Sequence, residues 1–177
     1  MRCSSSQITA IDAAMTASST RIGQMLGGDK KRRKERNECR SCIEQAFADD
    51  GVTAPRYWSD GRFVATLQQI LRSASFDRRS ALAIQCDQGG SPRTRCENVL
   101  ISPDGEWPLA FYRLDAITLC NRLWGDEGDV GGLKCVLIHE MIHMIGDGGG
   151  PDQDVVENRV VRMSQCFFDD CAAYETE

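Results

Sequence analysis

Hydrophobic positions recur at helical spacing near both ends of the chain and at strand-like spacing in its middle. Ile8, Ile11, Met15, Ile22, Met25 and Leu26 predict a loose helix over 6–26, weakened by serines and Gly23 and ended at Gly27-Gly28. A second helix is expected over 35–48, closed by Asp49-Asp50-Gly51, and a loop carrying Tyr57 and Trp58 lies between Pro55 and Ser59-Asp60-Gly61. Phe63, Val64, Leu67, Ile70 and Leu71 then mark an amphipathic helix over 62–73. Short apolar runs at 81–86, 98–101, 109–112 and 116–120, separated by turn residues, read as strands. The glycine- and acid-rich run 125–129 is a loop, and two further helices follow, over 133–145 and from 152 to 167. Between them Gly146-Asp147-Gly148-Gly149-Gly150 cannot propagate a helix, and Pro151 suits the first turn of the next one. The order is that of an α+β protein: helices, a small mixed sheet, then two helices joined by a tight turn.

The helix over 133–145 is apolar almost all round, which makes its polar triplet conspicuous. Val136, Leu137, Ile138, Met141, Ile142, Met144 and Ile145 surround His139, Glu140 and His143. These three form H-E-x-x-H, and the chain has only two histidines, both in that motif. Residues four apart share a helix face, so His139 and His143 can offer two ring nitrogens to one Zn²⁺. Glu140 then falls beside the metal, placed to take a proton from the activated water and pass it to a leaving amine. The plainer alternative, a buried helix that happens to carry two histidines, leaves polar groups without partners among apolar neighbours.

A length of 177 residues with 41% hydrophobic and 27% charged positions fits one soluble domain with an arm, here 1–34 as a helical arm with a basic segment and 35–177 as the domain. No apolar run is long enough to span a membrane, and the N-terminus lacks the apolar core of a signal peptide. The net charge of −5 hides an asymmetry: residues 30–36 hold six basic side chains and one acid, leaving 15 basic against 25 acidic residues elsewhere. The basic run is read as a solvated linker or helix start, so no nucleic-acid partner is expected. Nine cysteines are many for this length; with Cys3 set aside in the arm, eight suggest a disulfide framework and an oxidising destination. A competing use is a structural zinc held by Cys39, Cys42, Cys166 and Cys171.

Two histidines do not complete a catalytic zinc site, which takes three protein ligands and water. With no histidine left, the third must be an oxygen or a thiolate, and the glycine turn brings Asp147, Asp152, Asp154 and Glu157 within reach. Ile117-Thr118-Leu119-Cys120, Leu137 to His143 and Gly149-Gly150-Pro151-Asp152 together resemble the aspzincin metalloendopeptidases, the deuterolysin and peptidyl-lysine type, and their bacterial relatives. The resemblance covers about a quarter of the chain, and H-E-x-x-H is its most specific part. It implies a zincin-like core, places the third ligand on Asp152, and makes 116–120 the cleft-edge strand that pairs with an extended substrate. Gly150 stands where the family has Thr, and Val155 where the peptidyl-lysine group has Tyr, so cleavage after lysine is not implied. Tyr57, Tyr112, Tyr174, Arg159 and Arg162 remain candidates to stabilise an oxyanion. The rival metzincin pattern needs a ligand at Gly149, with Met163 as its methionine turn; the gluzincin pattern uses a glutamate on the next helix, a role open to Glu157 or, as a further acid, Asp154.

The chain is thus expected to be a secreted or exported zinc endopeptidase, effector- or toxin-like, acting on protein or peptide substrates and facing an inhibitor or immunity protein. An inactive, zinc-stabilised binding module is the alternative, and intact Glu140 argues against it.

Overall fold

The computed structural model describes residues 3–75, 82–87, 110–113, 116–124, 132–150 and 152–174. Helix α1 (Ser5–Met25) starts from a capping box in which the Gln7 amide donates to Ser4 Oγ and the Ser4 amide to Gln7 Oε1. It buries Ala10, Ile11, Ala14, Ile22 and Met25. Helix α2 (Lys30–Ala48) is capped by Asp29, whose carboxylate accepts the Arg32 amide at 3.0 Å. It starts five residues before the expected 35, because the basic run is the helix's own first turns. Two of those side chains close the end of α1: Arg32 donates to the Leu26 carbonyl (3.2 Å) and Arg36 to those of Met25 (3.1 Å) and Gly27 (3.2 Å). These are carbonyls a helix end leaves without partners.

The expected boundary between an arm, 1–34, and a domain, 35–177, falls within α2. Helix α1 lies against α2, against α4 (Phe63–Ser73) and against α5 (Leu133–Ile145), and one hydrophobic cluster runs through all of them. A disulfide from Cys3 to Cys86 ties the start of α1 to the end of strand β2 (Leu82–Cys86). The sequence hid this because the inner face of α1 is built partly from alanines and a buried serine, Ser18, which carry a weak apolar signal.

Strands β1 (Ala74–Ser75), β2 (Leu82–Cys86), β3 (Ala110–Arg113) and β4 (Ala116–Leu119) form one sheet in the order β1-β2-β4-β3. The first three in that order are parallel, and β3 runs antiparallel to β4 with Ala110 opposite Leu119 and Arg113 opposite Ala116. The expectation of α+β architecture with a small mixed sheet is met. Strand β4 is not the edge, however: it pairs with β2 on one side and β3 on the other, and Ile117, Thr118 and Leu119 are buried. Both 109–112 and 116–120 are short, mostly apolar runs, so periodicity alone could not tell which of them is central. The expected strand at 98–101, the loop 125–129 and Pro151 lie outside the described residues.

The loop expected around Tyr57 and Trp58 contains a short helix, α3 (Arg56–Ser59), that places Trp58 in the core. Disulfides join Cys42 to Cys166 and Cys135 to Cys171, and Cys120 is disulfide-bonded as well. Cys39, not Cys3, is the free cysteine among the described residues, and burial pushes its thiol up to about 12. Cystines at 42, 166 and 171 leave no thiolate set for the structural zinc once considered there. Such bonds persist outside reducing compartments. No described helix is long and apolar enough to cross a membrane.

Candidate metal centre

Helix α5 has the bounds expected from its pattern, Leu133–Ile145, and its two histidines share one face. Their Nε2 atoms stand 3.2 Å apart. Helix α6 (Gln153–Gln165) packs against α5 and brings Glu157 Oε2 to 3.2 Å from His139 Nε2 and 3.3 Å from His143 Nε2. Around a tetrahedral zinc with bonds of about 2.0–2.1 Å, neighbouring donor atoms lie about 3.3–3.4 Å apart. The edges of the triangle, 3.2, 3.2 and 3.3 Å, come close to that spacing. All three residues are partly exposed.

Each member is held by a neighbour. Asp147 Oδ2 lies 2.8 Å from His143 Nδ1 and accepts its N–H, so Nε2 is the ring nitrogen turned to His139 and Glu157. The other oxygen of Asp147 accepts the Gly149 amide at 2.7 Å, so the carboxylate is gripped from both sides. Gln153 donates to Glu157 Oε1 at 2.8 Å, turning Oε2 to the histidines. In the metal-free protein, burial works to lower His143, but the Glu157 and Asp147 carboxylates outweigh it and raise it to about 9. Burial likewise works to raise Glu157, and the two histidines hold it far below the usual carboxylate range.

Glu140 is buried beside this triangle on the same helix. Burial raises its carboxyl above the ordinary value and Glu157 adds to that, while His139, His143 and the Tyr112 backbone amide of β3 pull the other way. Strand β3, last in the described sheet, thus touches the motif helix where the resemblance had put 116–120.

Of the expected ligands, the structure brings His139 and His143 together and joins them with Glu157. Asp152 does not join them. It is the N-cap of α6, exposed, and its Oδ1 accepts the Asp154 amide at 3.0 Å. Asp154 is exposed in the first helical turn. A short carboxylate at a helix start satisfies its own helix's orphan amides, whereas the longer glutamate one turn further in reaches across to α5. Of the oxyanion candidates, Arg159 and Arg162 both engage Asp50, and Met163 is buried within α6 rather than in a turn. Asp147 as a partner of His143 was legible as an i, i+4 pair; Gln153 four before Glu157 is the same signal.

The chain matches no protein-family model, no curated protein and no solved structure.

Proposed function

We propose that the protein is a zinc-dependent endopeptidase in which His139, His143 and Glu157 hold the metal and Glu140 is the general base. The observation that carries this reading is the donor triangle, with edges of 3.2 to 3.3 Å, adjoining a buried carboxylate whose affinity for a proton is raised. A glutamate from the following helix is the gluzincin choice of third ligand, so the reading moves from the aspzincin type toward that one within a zincin-like core. When bound, zinc supplies Lewis acidity, lowering the pKa of a water toward neutrality and polarising a carbonyl.

The chain's own residues do the rest. Asp147 keeps the His143 imidazole oriented, and Gln153 orients Glu157. Glu140, raised by burial, suits a group that must accept a proton and return it near neutral pH. The cystines favour action after export, on protein or peptide substrates.

The test is a paired measurement on the purified protein. About one zinc per chain is expected after reconstitution, with cleavage of an unfolded protein such as casein. Glu140→Gln is expected to keep the zinc and lose the cleavage; undiminished cleavage would refute its role as base. Zinc retention without any cleavage by the wild type would instead place the chain among zinc-stabilised binding modules.

A further inference from the structure

The turn between α5 and α6 has glycine at four of five positions, 146, 148, 149 and 150, and three of these have positive φ. Ordering such a segment is costly, because glycine loses more backbone freedom than any other residue. Yet both Asp147 and the approach to Glu157 depend on its being ordered.

One side chain meets that turn at several points. Arg159, 1% exposed, donates through Nη1 to the carbonyls of Asp147 (3.0 Å) and Gly149 (3.1 Å), on either side of Gly148. Its Nε donates to Asp50 Oδ2 at 2.6 Å, just past the end of α2, and its guanidinium lies over the Phe47 ring at 5.0 Å. Asp50 also accepts from Arg162, one turn further along α6. From the other side, Trp58 Nε1 donates to the Gly146 carbonyl at 2.8 Å. A buried guanidinium needs such partners, but simple neutralisation by Asp50 would not require two carbonyls of the metal-site turn.

We infer that Arg159, anchored by Asp50, is a positioning residue for the metal centre: its guanidinium locks the turn that sets Asp147 against His143 and fixes that turn to the helix carrying Glu157. The planar fork spreads its donors over Nε and Nη1 in a fixed geometry that meets the carboxylate and the two carbonyls, which the compact point charge of a lysine ammonium does not reproduce. Metal affinity therefore depends on contacts made by α2, a helix that supplies no ligand. This inference rests on the metal reading above.

The experiment measures zinc affinity of the apoprotein by competition with a chromophoric chelator, alongside the visible absorption of the Co²⁺-substituted protein, which reports coordination geometry. Arg159→Lys is expected to lose zinc affinity by about tenfold or more, the scale of losing a partner of a ligand, and to shift the cobalt spectrum. Asp50→Asn should move both readouts the same way and serves should the lysine variant not fold. Leu82→Ala, a core truncation in β2, is expected to lower the melting temperature while leaving affinity and spectrum at wild-type values. Wild-type affinity and an unchanged spectrum in the folded Arg159 or Asp50 variant would overturn the inference. A wild type that binds no zinc, or whose binding survives His143→Ala, would instead overturn the metal reading itself, and the inference with it.

Discussion

Asp152 and Glu157 stand on successive turns at the start of α6; the first carboxylate meets its own helix's amide and the second reaches the histidines of α5. Glu157→Ala is therefore expected to cut zinc affinity by more than the roughly 10–100-fold typical of losing an outer partner. Asp152→Ala should cost about 1 kcal/mol of stability through the lost cap and leave zinc affinity nearly intact, as a chelator titration of both variants would show. The glycines divide as sharply. At Gly148, φ is +83° and an added Cβ would sit 2.6 Å from Phe47 Cε1, whereas at Gly149, φ is +57° and nothing lies within 4 Å. Gly149→Ala should cost about 1–2 kcal/mol from backbone conformation alone, and Gly148→Ala about 1–3 kcal/mol more from overpacking against the ring. Thermal melts of the two apoproteins would separate these terms.

At the scale of elements, α5 was fully legible because its polar triplet is framed by apolar residues and bounded by glycines at both ends. The glycine turn and the helix after it were legible for the same reason. The outer strand of the described sheet was not, since 109–112 and 116–120 both read as short apolar runs and only pairing distinguishes them. Nor was the third ligand, because the choice between Asp152 and Glu157 depends on how α6 lies against α5, which no local pattern encodes. Asp50 and Trp58 gave no signal at all: each acts on a turn far away in sequence. The join of α2 to α6 through Asp50 has a pH signature. Burial works to raise Asp50, but Arg159 and Arg162 outweigh it and hold it below the ordinary carboxylate value. A lowered folded-state pKa contributes stability above the unfolded value, about 3.9, that is lost as pH falls through the folded one. Urea midpoints measured from about pH 5 downward should fall less steeply for Asp50→Asn than for wild type.

For the molecule as a whole, the cysteines make the expectation of a framework specific. Denatured without reductant, the chain should show one reactive thiol, and Cys39→Ser should remove it; in the folded protein that thiol, buried and raised to about 12, should resist alkylation. Retention of the thiol in the Cys39 variant would show that a different cysteine is free. The three donors, by contrast, need none of these long closures. Glu157 lies 18 residues from His139 and 14 from His143, while Arg159 and Asp50 are 109 apart. Loop closure is cheapest over short separations, and contacts between distant segments form late. The hairpin of α5 and α6 is thus expected to gather its donors early in folding, with α2 docking on it afterwards. A metal ion present during folding would nucleate the C-terminal half first, and the final affinity would be set only when the N-terminal half arrives to close over the turn.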